Sequence, residues 1–208
     1  MDDRVGRVLR ALEARSRQEQ EELEKLRVEG SSALRDRAAD LMLDVGPEVG
    51  QFLNLLVRAM GAVTVVEVGG SVGYSTLWLA EALRATGGTL YSIEVDIGKQ
   101  RQQLANVEAA GLASVVELTT TEAPDLVPDL PVPIDFVLLD HWKELYIRDF
   151  DACWPALRRG GVVAADNIVL PVKNAAVIAR YLEHVTGQAD TRTLTLPLGD
   201  GVEVTTKT

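Results

Sequence analysis

The chain has 208 residues, 47% of them hydrophobic and 25% charged, the balance of a soluble globular protein long enough to bury a full core. Its 31 acidic side chains against 21 basic ones give a formal net charge of −10, which argues against nucleic acid or an anionic membrane surface as the main partner. The lone cysteine, Cys153, excludes an internal disulfide and predicts a reducing, cytoplasmic setting; no apolar run nears the ~20 residues of a membrane span, and the opening MDDRVGRVLR is charged where a signal peptide is apolar.

Two units are expected in chain order, an N-terminal helical arm over residues 1–30 and an α/β domain over residues 31–208. In the arm Val5, Val8, Leu9 and Leu12 recur at helical spacing, a nearly all-polar stretch runs from Glu13 to Glu22, and Leu23 and Leu26 resume the pattern. That stripe is too narrow for an isolated helix, so the arm should pack on its own domain or on a second subunit. Gly30-Ser31-Ser32 breaks the pattern, with Ser32 a helix cap; Leu34, Leu41 and Met42 then predict a second helix ending near Val45-Gly46-Pro47, and a third covers Glu48–Met60.

From residue 62 short apolar runs alternate with helical stretches, the pattern of βα units and a parallel sheet buried on both faces. Strands are predicted at Thr64–Val68, Leu90–Glu94, Val115–Leu118, Asp135–Leu139 and Val162–Ala165. Helices fall at about Tyr74–Thr86, Lys99–Ala110, Ala123–Val127, Leu145–Leu157 and Asn174–Val185. Thr191–Leu196 and Val202–Thr206, joined by Pro197-Leu198-Gly199-Asp200-Gly201, read as an antiparallel hairpin added to that sheet. The expected fold is a doubly wound, mostly parallel, seven-stranded α/β sheet with a C-terminal hairpin and N-terminal helices.

The stretch VVEVGGSVGYS, Val65 to Ser75, leaves a buried strand, turns through glycines and enters a helix whose first N–H groups lack partners. A dinucleotide fingerprint fails because Ser71 stands where it needs glycine. G-x-S-x-G is matched by Gly69 to Gly73, which leaves a serine hydrolase with Ser71 as nucleophile as one alternative; it needs a later histidine, and only His141, beside Asp140, and His184, inside a helix, exist. An S-adenosylmethionine loop is the third reading. Glu94, at the end of the second strand, is placed to accept from both ribose hydroxyls, although a solvated strand-end carboxylate is common.

The fourth strand runs out into Leu138-Leu139-Asp140-His141-Trp142-Lys143 and the fifth into Asp166-Asn167, so Asp140, Asp166 and Asn167 should converge beyond the carboxyl ends of the sheet. Their oxygens suit a hard cation such as Mg2+; the competing view is that Asp166-Asn167 caps a turn.

Asp140-His141-Trp142-Lys143 with the downstream Asp166-Asn167 resembles catechol O-methyltransferase. Gly50-Gln51-Phe52-Leu53-Asn54 and Leu196-Pro197-Leu198-Gly199-Asp200-Gly201 resemble the caffeoyl-CoA and bacterial branch of the same metal-dependent class I family. The similarity spans about residues 41 to 206, and the absence of an Asn/Asp-Pro-Pro-aromatic motif after the fourth strand separates the chain from amino-methylating families. The resemblance implies a Rossmann-like fold and Mg2+-dependent methyl transfer from S-adenosylmethionine to a hydroxyl of a catechol-like vicinal aromatic diol, with S-adenosylhomocysteine as product. It also implies a homodimer. A non-catalytic cofactor-binding or interaction protein, with the charged arm as its working part, is the other class to weigh.

Carried over residue by residue, the resemblance puts Glu67, Gly69, Ser71, Tyr74 and Ser75 at the methionine end of the cofactor, the Val45 backbone amide at its carboxylate, Glu94 at the ribose, and His141 and Trp142 beside the adenine. Asp140 borders the cofactor and, with Asp166 and Asn167, matches the Mg2+ ligands; Lys143 matches the catalytic base. Tyr74 as a helix-start aromatic, Trp142 as a core side chain and Lys143 as a solvated amine are the plainer readings. Two departures concern the acceptor pocket. Leu41 stands where the catechol enzyme has an aromatic gate, and Thr193–Thr195 offer no carboxylate where it has a glutamate, whereas Pro171 matches a proline wall.

Overall fold

The computed structural model describes residues 2–29, 31–131, 133–169 and 174–208. The helices α1 (Asp3–Glu29), α2 (Ser31–Arg37) and α3 (Gly46–Met60) precede β1 (Thr64–Val68), α4 (Tyr74–Thr86), β2 (Thr89–Ile93), α5 (Ile97–Ala109), β3 (Val116–Thr119) and α6 (Ala123–Leu126). β4 (Ile134–Leu139), α7 (Tyr146–Cys153), β5 (Leu157–Ala165), α8 (Ala175–Thr186), β6 (Thr191–Leu196) and β7 (Val202–Lys207) complete the chain. Among the described residues no helix is long and apolar enough to cross a membrane.

The seven strands are ordered β3-β2-β1-β4-β5-β7-β6, parallel except for β7, which runs antiparallel to both β5 and β6. This is the doubly wound sheet with a terminal hairpin that the alternating pattern predicts. Strand order reverses between β1 and β4, which opens a crevice beyond their carboxyl ends. Register makes the crevice level: Val68 pairs with Ile93 on one side and Leu139 on the other, and Leu139 pairs with Ala165. The residues that follow these ends, Gly69, Glu94, Asp140 and Asp166, therefore leave the sheet side by side.

Successive strand residues alternate between two cores. Val65, Leu90, Phe136 and Leu138 pack on one face with Leu53, Leu77 and Leu83, and Val5, Leu9 and Leu12 of α1 belong to the same cluster. The arm thus packs on its own domain. Val66, Val137, Leu139 and Val163 face the other layer with Tyr146, Phe150 and Tyr181.

Three boundaries differ from expectation by more than two residues. α2 stops at Arg37 rather than near Val45, and Leu41 and Met42 are buried in a turn segment whose Met42 N–H donates to Glu19 Oε2 at 2.7 Å, a distant side chain standing in for a helical carbonyl. α7 ends at Cys153 because Pro155 interrupts the donor ladder in the short turn Trp154–Ala156. β5 starts at Leu157, passing through the polar Arg158-Arg159-Gly160-Gly161 that hides its strand character. The side chain of Ser32 and the whole of Gly30 and Pro171 lie outside the described residues.

Arg158 earns its place by pairing. Asp135 Oδ1 accepts from Arg158 Nε at 2.5 Å, and its Oδ2 accepts the Val63 and Thr64 backbone N–H groups at 2.8 Å each, tying the start of β1 to β4 and β5. Burial alone would raise this carboxyl, but Arg158 and the two amides hold it below the ordinary carboxylate range. Its contribution is full above the unfolded value of about 4 and is lost as the pH falls through the lower folded value. Asp135→Ala is expected to cost about 1.5–3 kcal/mol at pH 7, measured by urea unfolding, with the gap from wild type closing as the pH drops below ~4. A gap that stays constant with pH would contradict this account.

Candidate active site

The crevice holds a cavity of about 570 Å³. Its glycine wall is shaped by close backbone approach: at Gly69, φ +99°, an added Cβ would sit 2.1 Å from the Asp140 carbonyl oxygen. Ser71 adopts φ +49°, a conformation L side chains rarely take, and it is held there from both ends. Its N–H donates to Glu94 Oε2 at 2.8 Å, while its Oγ donates to the Met42 carbonyl and accepts from Lys99 Nζ at 3.1 Å. Glu94 Oε1 takes the Asp96 N–H at 2.8 Å, so the strand-end acid and the glycine loop brace each other.

Beneath the loop, Glu67 is fully buried and accepts from Ser75 Oγ at 2.6 Å, Thr76 Oγ1 at 2.7 Å and Ser92 Oγ at 2.5 Å. Burial raises its carboxyl against these three hydroxyls. Tyr74 is equally buried, its hydroxyl donating to Glu13 Oε1 of α1 at 3.0 Å.

At the ends of β4 and β5 lies a compact charged group. Lys143 Nζ stands 3.7 Å from Asp140 Oδ1 and donates to the Tyr146 hydroxyl at 2.5 Å; that hydroxyl is 2.8 Å from the Leu139 carbonyl oxygen and 2.9 Å from that of Asp166. Burial pushes the Lys143 ammonium below its usual value although Asp140 and Asp166 oppose the shift. The same burial raises Asp140 and, helped by the Asp140 charge, lifts Asp166 well above the carboxylate range. Asp166 is 1% exposed and its Oδ1 has no hydrogen-bond partner among the described residues. Asn167 follows at φ +55° and lines the cavity. Among the described residues no three His, Cys, Asp or Glu side chains form a metal cluster; the donor set here is two carboxylates and an amide, and the orphaned buried Asp166 oxygen fits a hard cation better than it fits an empty core.

Of the residues singled out in the sequence, Gly69, Ser71, Glu94, Asp140, His141, Trp142, Lys143 and Asn167 line the cavity. Val45, Glu67, Tyr74, Ser75 and Asp166 are buried and are not among its lining residues. His141 Nε2 is 2.6 Å from buried Asp149 Oδ2, and Trp142 lies under the Arg35 guanidinium, 4.4 Å from its ring centroid. His184 pairs with Asp151, so among the described residues no histidine hydrogen-bonds Ser71 and the hydrolase triad is not assembled. Sequence reasoning missed Lys99, Asp44 and Arg35, which also line the cavity. For Lys99 the available signal was Asp96, whose Oδ1 caps α5 by accepting the Lys99 N–H at 2.9 Å and so starts the helix at the crevice.

The sheet order, the glycine loop and the strand-end acids define a class I methyltransferase domain. Residues 66–168 match the family model described as a methyltransferase domain. A catechol O-methyltransferase of Niastella koreensis is 34% identical over 131 residues, 61% of this chain and 59% of that protein. One from Sus scrofa is 30% identical over 137 residues, 62% of this chain and 73% of that one. The O-methyltransferase of Bacillus cereus, solved with S-adenosylhomocysteine, superposes with a TM-score of 0.75 at 28% identity, covering 84% of this chain and 88% of that chain. The chain belongs to the O-methyltransferase family that includes the catechol enzymes. It spans between half and three fifths of the length of several curated relatives, 59% of the Niastella protein and 51% of the mouse protein.

Proposed function

We propose that the protein transfers a methyl group from S-adenosylmethionine to one hydroxyl of a vicinal aromatic diol, with Mg2+ or a similar divalent cation, releasing S-adenosylhomocysteine. The observation that carries this reading is the convergence of Asp140, Lys143, Asp166 and Asn167 beside the glycine loop. Asp140, Asp166 and Asn167 would hold the cation, which when bound supplies positive charge to an ionising phenol and a template for two adjacent oxygens.

The remaining chemistry belongs to the chain itself. A phenol with a pKa near 10 is mostly protonated at neutral pH and is a poor nucleophile. Lys143 Nζ, inclined toward its neutral form by burial and steered by the Tyr146 hydroxyl, takes the acceptor proton. Glu94 and the backbone of Gly69 to Ser71 hold the donor so that its methyl faces the acceptor oxygen, and alignment then supplies much of the rate. The lone Cys153 and the family resemblance add a cytoplasmic homodimer to the proposal.

The hairpin sets the acceptor selectivity. Thr193 and Thr195 stand where the catechol enzyme has its orienting glutamate, and buried Glu203, across the hairpin from them, has both oxygens taken by their hydroxyls. A ring bound through its two oxygens then has few side-chain contacts that separate it from its flipped orientation. Turnover of catechols and caffeoyl thioesters should therefore be broad, and an asymmetric catechol should give both meta and para ethers. Chromatography against standards measures the ratio; a single regioisomer in more than about tenfold excess, ~1.4 kcal/mol, would contradict this view of the pocket.

A further inference from the structure

Among the described residues the mechanism leaves one buried cation, Lys99, unused. Lys99 is 6% exposed, lines the cavity, and forms no ion pair with a described residue. Nζ carries three donors, and the acceptor it reaches among the described residues is Ser71 Oγ at 3.1 Å. Burial lowers its affinity for a proton while Glu94 and Asp96 pull the other way, and two of its three donors are left without an acceptor among the described residues. Glu94 and Asp96, close enough to act on Lys99, line the cavity with it, so an incoming anion meets repulsion there unless a cation is placed to receive it.

S-adenosylmethionine carries a sulfonium, an ammonium and a single anionic group, its α-carboxylate. We propose that Lys99 is a specificity residue whose ammonium, steered by Ser71 Oγ on the glycine-loop wall, receives the α-carboxylate of the methyl donor and selects amino-acid-bearing cofactors over neutral or cationic analogues. The inference rests on the methyl-donor reading above. It explains why a lysine is buried at the mouth of α5 and why Ser71 is held in a left-handed conformation that keeps its hydroxyl between Lys99 and the Met42 carbonyl.

The test is calorimetric binding of S-adenosylmethionine and of decarboxylated S-adenosylmethionine to the full chain, wild type and Lys99→Met. Wild type should favour the carboxylate-bearing ligand by about 10- to 100-fold, the worth of one charge-assisted contact, and Lys99→Met should narrow the preference to about threefold or less by weakening only that ligand. A lysine serving the fold alone would weaken both ligands together. A preference that survives Lys99→Met, or a wild type that does not distinguish the two ligands, overturns the assignment while leaving the methyl-donor reading intact. Failure of wild type to bind S-adenosylmethionine at all overturns both. If Lys99→Met lacks a cooperative melting transition, the same comparison with Lys99→Gln decides.

Discussion

Asp166→Ala is expected to abolish methyl transfer to catechol and at the same time to make the metal-free protein more stable. Both effects follow from one observation, a carboxylate 1% exposed whose Oδ1 has no partner among the described residues and whose proton affinity is driven up by burial and by Asp140. In the metal-free chain this group is a buried polar atom left unsatisfied, and removing it should recover about 1–3 kcal/mol in chemical unfolding. In turnover its loss removes a charged ligand from the cation site, and excess EDTA should have the same effect on the wild type. Asp140→Ala should match it in activity. Undiminished turnover in EDTA, or a variant that is inactive but also much less stable, would contradict the role given to these carboxylates.

Lys143→Ala should lower kcat by about 10²- to 10⁴-fold while S-adenosylmethionine affinity changes by less than about threefold. The side chain is buried, its Nζ is bracketed by Asp140 and the Tyr146 hydroxyl, and the contacts that brace the glycine loop come instead from Glu94, Met42 and Lys99. Losing the amine therefore removes the proton acceptor and leaves the donor site in place. Steady-state kinetics with calorimetry on the same preparation separates the two. Wild-type kcat at neutral pH in the variant would remove Lys143 from the reaction.

Much of this site was legible because strand ends announce themselves. Phe136–Leu139 and Val162–Ala165 are apolar throughout and Val65–Val68 is apolar but for Glu67, and the residue after each strand leaves the sheet at its crevice end, which is how the pattern locates Gly69, Asp140 and Asp166. Less legible were residues whose burial is decided by distant partners. Lys99 reads as a surface helix residue until Ser71, far away in sequence, is brought against it. Leu41 and Met42 mimic helical periodicity because both are buried, yet the Met42 N–H is satisfied by Glu19 across the α1 packing. The polar run from Glu13 to Glu22 looks like a solvated face but supplies Glu13 to Tyr74, Arg15 to Gln102 and Glu19 to Met42. Glu67 is a further case: it stands in a strand beside a glycine loop, and the hydroxyls of Ser75, Thr76 and Ser92 that surround it in the core are partners its place in the sequence does not show.

The most direct test of the account follows the methyl group itself. S-adenosylmethionine labelled on its methyl carbon is incubated with the purified protein and either catechol or hydroquinone, with Mg2+ or with excess EDTA, and the products are identified by mass spectrometry. The account predicts a labelled monomethyl ether and an equal amount of S-adenosylhomocysteine from catechol with Mg2+ only. No labelled ether from catechol, or equal labelling of hydroquinone or in EDTA, would contradict it.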